Sequence, residues 1–436
     1  MCEISARFGD CLFGMYSGRY AQTVVRVGGG FNAKAVDKHC MNIGIFTIML
    51  RNGGTERVAA QLSRIWTALG HNIVFFTLEQ RHENDFPHEC IARECAVDGC
   101  WKADDVERLQ KKYALDLVIV NGGWNNDWVC PVVCRFKELN VRSLAILHHA
   151  FNNWAFSGCN IGDFDKEELL AHLDCLVCVD KIQALWWSRR HSCVAYMPNP
   201  CGVDAGVDIA ESGRPRKHRI VWVGRANDWG KRLNLAIDVF RLVRKKIPDA
   251  ALMVVGALPK RWKCNEPGIV FTGYLPSAIK AMQSASVHLV TTLWEVTVPQ
   301  VVLEARAIGI LTVSFDLPVL RNEEGICLGK DSAEVSDLIV DILVKRHWAE
   351  TSRLDTDRNE DIGRRWKELL AMLESGNLTA YLTEKSHEYV NVEQYEKLID
   401  EVQRSEKFIA ETHFPTLQRV RRWKGRLQRV KEILGL

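Results

Sequence analysis

Two cationic side chains, Arg225 and Lys231, closely follow a short apolar run in the second half of the sequence. The run from Ile220 to Val223 predicts a β-strand that ends at Gly224, and a helix is expected to begin near Lys231. A guanidinium forms charge-assisted hydrogen bonds with phosphate, an ammonium adds a point charge, and a helix N-terminus adds backbone N–H donors. The pattern therefore predicts a phosphate-binding turn.

Two carboxylates accompany a second strand and helix farther along the chain. An apolar run predicts a strand over Val287 to Leu293, and a helix is expected over Pro299 to Gly309. Glu295 lies between these elements, and Glu304 lies within the helix. Because ligands of open parallel sheets bind outside the carboxyl ends of the strands, these carboxylates are well placed to accept hydrogen bonds from a sugar or a ribose diol.

The first half of the chain places further candidates after predicted strands. Gly53 and Gly54 precede a helix with a one-sided apolar pattern, and the pair alone is equally consistent with a tight turn and with a phosphate-binding turn. His148 and His149 follow the apolar run Leu144 to Leu147. A histidine more often has a structural role than a catalytic one, but ligands bind at this rim of a parallel sheet. We take His148 as the candidate because it follows the strand directly.

The stretch from Arg219 to Asp316 resembles the donor-binding half of the retaining nucleotide-sugar glycosyltransferases of family 4. A weaker resemblance extends over residues 41–345. The resemblance implies that Arg225 and Lys231 bind the pyrophosphate of the donor. It also implies that Glu304, which matches the second glutamate of the paired-glutamate signature of the family, binds the nucleotide ribose.

The resemblance implies roles for three more candidates. The family has a histidine beside the reacting carbon of the donor sugar, and His148 matches it. Its glycine pair, matched by Gly53 and Gly54, approaches the donor phosphates and the acceptor. Eight residues separate Glu295 from Glu304, where the family has seven, so that Glu295 is displaced by one position. We assign Glu295 to the donor sugar with this displacement.

Alternating predicted strands and helices from Met41 onward indicate an α/β protein. A stretch rich in Gly, Pro and charged residues after Asn199-Pro200 predicts a linker between two similar halves. With the resemblance, this predicts a GT-B fold, in which two Rossmann-like doubly wound domains face a central cleft and helices follow them. The predicted divisions are a poorly defined N-terminal extension (1–40), an acceptor domain (41–200), a linker (201–218), a donor domain (219–345) and a C-terminal helical region (346–436).

Composition gives no indication of nucleic-acid binding, because the net charge of the 436 residues is only +3. The sequence has no apolar run of about 18 residues that could span a membrane, and no recognisable signal peptide. An odd number of cysteines, 15, favours reduced thiols and a cytoplasmic location. Cys175 and Cys178 are expected on opposite faces of a strand, where they cannot share a metal ion.

The end of the chain, residues 416–436, carries an apolar stripe flanked by arginine and lysine side chains. A basic amphipathic helix of this kind can lie on an anionic membrane surface, which here would be the inner face of the membrane. A terminal helix that packs back on the fold is the alternative.

The expected function is transfer of a sugar from a nucleotide-diphosphate sugar, with retained anomeric configuration, to a glycan or lipid-linked acceptor in cell-surface polysaccharide synthesis. No metal ion or other cofactor is expected, because two cationic side chains would stabilise the leaving diphosphate. The Asp-x-Asp motifs at Asp163 to Asp165 and Asp355 to Asp357 are expected on the solvated surface. Two alternatives stay open: a nucleotide-sugar epimerase on the same fold, and a non-catalytic glycan-binding or partner subunit.

Overall fold

A computed structural model of the chain describes residues 40–48, 50, 53–78, 92–122, 128–148, 166–188, 191–203, 218–226, 228–258, 264–293, 295, 297–321, 323–345 and 357–379. Several sequence predictions concern residues outside these ranges: the N-terminal extension, most of the linker, the basic tail, His149, Asp163, Asp165 and Asp355.

The first lobe is built around a parallel sheet that has seven strands within the described residues, in the order β3-β2-β1-β4-β5-β6-β7. Ile43 on the central strand lies opposite Ile73 on one side and Leu117 on the other. The strands are β1 (Asn42–Thr47), β2 (Asn72–Thr77), β3 (Ala92–Cys95), β4 (Leu117–Asn121), β5 (Arg142–Leu147), β6 (Cys175–Cys178) and β7 (Val194–Tyr196).

The central strands are almost continuous apolar runs, as expected when both faces of a parallel sheet are covered. Alternate residues enter two separate cores: Cys175 belongs to the same core as Ile43, and Cys178 belongs to the same core as Phe46. The predicted placement of the two cysteines on opposite faces is confirmed. In the part of the chain that the structure describes, no group of three or more His, Cys, Asp or Glu side chains is arranged to hold a metal ion.

Helices cover this first sheet. The glycine turn leads directly into the first helix, whose predicted apolar face, including Val58, Leu62 and Trp66, is buried. The helices are α1 (Gly54–Ala68), α2 (Ala103–Tyr113), α3 (Val129–Glu138), α4 (Lys166–His172) and α5 (Lys181–Ser188).

The second lobe repeats the arrangement with a parallel sheet of six strands among the described residues, in the order β10-β9-β8-β11-β12-β13. Ile220 on its central strand lies opposite Leu252 on one side and Val287 on the other. The strands are β8 (Arg219–Val223), β9 (Ala251–Val255), β10 (Ile269–Gly273), β11 (Val287–Val290), β12 (Thr312–Phe315) and β13 (Ile326–Gly329). The helices are α6 (Leu233–Lys246), α7 (Ile279–Gln283), α8 (Gln300–Ala307) and α9 (Ser332–Lys345).

Two element boundaries differ from the sequence prediction. The helix expected near Lys231 begins at Leu233, because Lys231 ends a 3₁₀ turn and Arg232 adopts a left-handed conformation with φ of 53°. The strand expected to reach Leu293 ends at Val290. Side-chain and backbone hydrogen bonds after Val290 join this segment to the turn that contains Lys231, so that both boundaries move for the same reason.

Both sheets have the doubly wound order of a Rossmann fold, so the predicted fold class is confirmed. In each sheet the connections diverge at one pair of neighbouring strands, β1 and β4 in the first lobe and β8 and β11 in the second. Ligands of open α/β sheets bind at the carboxyl ends of the strands at this point. The loops after these four strands are therefore where a ligand is expected to bind.

The last described helix, α10 (Arg358–Ser375), returns the chain to the first lobe. The ring of Trp366 meets the ring of Trp66 edge to face, with centroids 4.9 Å apart. Its apolar residues Ile362, Leu369 and Leu373 belong to the same core as the first sheet. Among the described residues, no helix combines the length and apolarity needed to cross a bilayer.

Candidate functional site

The loops after β8 and β11 are joined by hydrogen bonds. The backbone N–H of Leu293 donates to the carbonyl of Gly230 at 2.8 Å. The hydroxyl of Thr291 donates to the carbonyl of Lys231 at 2.8 Å and accepts from the indole N–H of Trp222 at 2.9 Å. Since Trp222 and Thr291 are buried, these contacts fix the backbone of Lys231 against the rigid end of the sheet.

The side chain of Lys231 is directed to a carboxylate. Its Nζ forms an ion pair with Glu295, whose side chain is only 18% exposed, while that of Lys231 is 29% exposed. The structure thus brings together the predicted phosphate-binding cation and the predicted contact of the donor sugar. A diphosphate that binds here would have to share or replace Glu295 as the partner of Lys231.

Arg225 follows β8 directly and is 72% exposed at the same rim. Its Nη2 donates to Asp228 at 2.8 Å, and the other carboxylate oxygen of Asp228 accepts from the N–H of Gly230 at 3.0 Å. Asp228 therefore shapes the turn and holds the guanidinium over it. Sequence reasoning missed this residue, although an aspartate three positions after an arginine in a glycine-containing turn is a recognisable signal.

Glu304 lies in α8 and is completely buried, with 0% of its side chain exposed. The guanidinium of Arg57, from the first turn of α1, forms an ion pair with its Oε1. Its Oε2 has no hydrogen-bond partner among the described residues. Burial raises the pKa of the Glu304 carboxyl above its ordinary value, and the charge and hydrogen bond of Arg57 oppose that rise.

The segment that links the lobes runs beside this ion pair. A Cβ atom on Gly202 would lie 2.7 Å from Glu304 Oε1 and 3.3 Å from Arg57 Nη2, so only glycine fits here without displacement of the pair. Gln300 Nε2 donates to the carbonyl of Pro200 at 2.9 Å, while Gln300 Oε1 has no hydrogen-bond partner in the described part of the chain. Glu304 Oε2 and Gln300 Oε1 are thus two buried acceptor oxygens for which the described residues supply no donor.

In the first lobe, Asn121 connects two of the predicted site residues. It is the last residue of β4 and is buried. Its Nδ2 donates to the carbonyl of Thr55 at 3.4 Å, in the turn that follows Gly53 and Gly54. Its Oδ1 lies 2.9 Å from Nε2 of His148. Because the amide oxygen can only accept, Nε2 of His148 is the donor in this contact.

The residues predicted from the sequence therefore form two groups, each at the divergent strand pair of one sheet. Gly53, Gly54 and His148 are linked through Asn121, and Lys231 lies against Glu295. An ion pair of Arg57 with Glu304 joins the first lobe to the second. Sequence reasoning missed Arg57 and Asn121, although each occupies a position where such residues are informative, in the first turn after a glycine pair and at the carboxyl end of an apolar strand.

Comparisons with known proteins agree with this arrangement. Residues 217–345 match the family model described as glycosyl transferases group 1. Among solved structures, HepE of Anabaena with UDP and glucose superposes with a TM-score of 0.60 at 14% identity, covering 76% of this chain and 99% of that chain. TarM of S. aureus with UDP has a TM-score of 0.58 at 11% identity, over 75% and 99% of the two chains. The pneumococcal O-GlcNAc transferase GtfA with UDP and GlcNAc has a TM-score of 0.56 at 10% identity, over 77% and 99%. No curated protein matches the sequence.

The second lobe is thus similar to a group 1 glycosyl transferase domain, and the two lobes have the GT-B fold of the solved relatives. The family match over residues 217–345 and the shared fold support a glycosyltransferase.

Proposed function

We propose that the protein transfers a sugar from a nucleotide-diphosphate sugar with retention of the anomeric configuration, as a member of family 4. The observation that carries this proposal is the fully buried carboxylate of Glu304, whose Oε2 has no donor among the described residues. Such an oxygen is costly to bury unless a ligand supplies the missing hydrogen bond. The amide oxygen of Gln300, which has no donor in the same described part of the chain, lies close by. A ribose diol supplies two O–H donors and suits both acceptors.

Arg225 and Lys231 would bind the diphosphate, since both lie in the turn after β8 at the divergent strand pair. Negative charge grows on the diphosphate as the bond to the sugar breaks, and fixed cations stabilise that charge. When phosphate oxygens replace Glu295 as the partner of Lys231, the carboxylate of Glu295 becomes available to accept hydrogen bonds from the sugar hydroxyls. The two cations supply the charge stabilisation for which other enzymes use a metal ion.

Retention requires that the acceptor attack the same face of the sugar that the diphosphate leaves. A departing phosphate oxygen lies on that face and can take the proton of the acceptor hydroxyl, so a dedicated protein base is not required. His148 would lie beside the reacting carbon, with its Nε2 proton committed to Asn121 and its ring orientation fixed by that bond. In this role its fixed ring positions the donor sugar.

UDP is the nucleotide to test first, since HepE, TarM and GtfA were all crystallised with it. For the acceptor we propose a glycan or a lipid-linked glycan intermediate in cell-surface polysaccharide synthesis, handled at the inner face of the membrane through residues 416–436. We expect no nucleic-acid acceptor, because the net charge of +3 gives little attraction for a polyanion. DNA is present with one α-glucosyltransferase of the same fold, so an oligonucleotide belongs in the acceptor panel.

The proposal is tested by measuring transfer and hydrolysis with a panel of nucleotide sugars. Lys231→Met should lower turnover by about 100-fold, as expected for loss of one preorganised donor to the leaving group. Lys246→Met is the matched control, because Lys246 lies in the same lobe and is also paired with a carboxylate, that of Asp337. Equal activity of the two variants would contradict the assignment.

The panel also separates the alternative functions. An epimerase would convert the sugar without an acceptor, and the product would keep its nucleotide. A non-catalytic subunit would bind the nucleotide or glycan with no turnover in any combination. Release of free UDP that depends on the added acceptor is the result expected for the proposed transferase.

A further inference from the structure

We propose that Arg57 is a positioning residue through which the first lobe completes the nucleotide site of the second lobe. Its guanidinium holds the carboxylate of Glu304 in the charged form and in one orientation, so that Oε2 is presented to the ribose. This inference rests on the proposed function, because it assumes that Glu304 binds the nucleotide.

The position of Arg57 is set by the start of α1. Its backbone N–H donates to the carbonyl of Gly53 at 3.0 Å, the first hydrogen bond of the helix after the glycine turn. Its side chain is 25% exposed and reaches across to α8, where it contacts Oε1 of the fully buried Glu304. The cation is therefore partly hydrated, while the carboxylate is enclosed by protein.

The geometry leaves the second carboxylate oxygen for a ligand. Arg57 is paired with Oε1, and Oε2 has no partner among the residues that the structure describes. A ribose hydroxyl can donate to Oε2 while Arg57 keeps Oε1, and both contacts favour the ionised carboxylate. Gly202 makes this packing feasible, because a side chain there would meet Glu304 Oε1 and Arg57 Nη2.

The positive charge that acts on the Glu304 carboxylate comes from the Arg57 guanidinium. Among the described residues, the Glu304 carboxylate forms an ion pair with the Arg57 guanidinium. The uncharged amide of Gln300 lies on the same side, since its Oε1 and Glu304 Oε1 are 3.7 Å and 2.7 Å from the place of a Cβ atom on Gly202. Arg306 of the same helix is committed to Glu323, at 2.6 Å. Burial alone disfavours the charged carboxylate, so loss of Arg57 should leave Glu304 protonated over a wider pH range.

The test measures UDP binding by isothermal titration calorimetry across about pH 6 to pH 9. Arg57→Gln should weaken binding by about tenfold at neutral pH, as expected when a charged acceptor is lost. Its affinity relative to the wild type should recover as the pH rises, because Glu304 then ionises. Arg57→Lys keeps the charge and should restore most of the affinity. Arg135→Gln is the matched control, since Arg135 is also paired with carboxylates but lies on α3.

The double variant Arg57→Gln/Glu304→Gln separates a positioning role from a merely structural one. It contains no carboxyl at this site, so its affinity relative to the wild type should be independent of pH. Circular dichroism identifies any variant that fails to fold. If one does, Gly202→Ala replaces it in the binding measurements, because its methyl group would displace the ion pair of Arg57 with Glu304 from the side of the linker.

Two results would overturn the inference, and they differ in meaning. If Arg57→Gln bound UDP with the affinity and pH profile of the wild type while Glu304→Gln did not bind, Arg57 would have no positioning role and the proposed function would stand. If the wild type bound neither UDP nor any nucleotide sugar, the proposed function would fail, and the role of Arg57 with it.

Discussion

Replacing Glu304 by glutamine should make the ligand-free protein more stable at neutral pH, although the substitution removes an ion pair. Two effects compete. Loss of one partner of a buried pair destabilises a protein when it leaves an unpaired buried charge, whereas removal of a costly buried charge stabilises it. Here the group that is removed, Glu304, is 0% exposed, and the group that remains, Arg57, is 25% exposed and can be hydrated.

The direction follows from the raised pKa of Glu304. A carboxyl whose pKa is higher in the folded state than in the unfolded state makes folding less favourable as the pH rises above its ordinary pKa. The glutamine variant lacks this penalty. We expect it to gain about 1 kcal/mol above neutral pH, in the lower part of the range for replaced buried ion pairs. For a chain of 436 residues that corresponds to about 1 °C in Tm.

Thermal unfolding at about pH 5 and about pH 8, with and without UDP, measures how the stability difference depends on pH and on the ligand. The Tm difference between Glu304→Gln and the wild type should be larger at the higher pH. Saturating UDP should reverse the order, because a ligand at 100 times its Kd stabilises the wild type by about 2.7 kcal/mol and the variant binds it poorly.

Glu94 provides a control, because its pKa is lowered where that of Glu304 is raised. Burial would raise its pKa, but hydrogen bonds from Lys112, Tyr113 and Arg108 outweigh it and lower the pKa to about 2. Stability from this group is present above the ordinary carboxyl pKa and is lost only as the pH falls toward 2. Glu94→Gln should therefore lower Tm equally at both pH values. If Glu304→Gln also lowered Tm by the same amount at both, the proposed penalty on its buried carboxylate would be refuted.

Three further substitutions test how the loops are held. Gly256 has φ of 145°, and a Cβ atom there would overlap the carbonyl oxygen of Gly224, so Gly256→Ala should cost about 2–3 kcal/mol in urea unfolding. Gly54→Ala, with open space at the start of α1, should change stability by less than about 0.5 kcal/mol, and equal effects would contradict the steric explanation. Asn121→Ala removes the hydrogen bond that orients the ring of His148 and should lower kcat by about tenfold with little change in KM for the donor. An unchanged kcat would argue against a role for the His148 orientation.

Much of the fold could be predicted from the sequence, because parallel strands that are buried on both faces consist of nearly uninterrupted apolar residues. The run before Gly224 and the apolar face of α1 both correspond to the observed elements. Alternating strand and helix patterns indicated an α/β protein, and the doubly wound arrangement was implied by the family resemblance. The same pattern placed Arg225 and Lys231 after β8, where the structure has them.

Contacts between distant segments could not be predicted in this way. The pairing of Arg57 with Glu304 joins two lobes whose separate patterns contain no information about each other. The return of α10 to the first lobe, with Trp366 against Trp66, is equally invisible, since the sequence reveals an apolar face but not its partner. The early end of β11 depends on the hydroxyl of Thr291, a local competitor for hydrogen bonds that an apolar pattern does not register.

A crystal structure with bound UDP tests the central claim most directly. The diphosphate should lie within hydrogen-bond distance of Arg225 and Lys231, with Lys231 separated from Glu295, and a ribose hydroxyl should donate to Oε2 of Glu304 while Arg57 stays on Oε1. A diphosphate bound elsewhere, with Arg225 and Lys231 facing solvent and Glu304 still lacking a second partner, would contradict it.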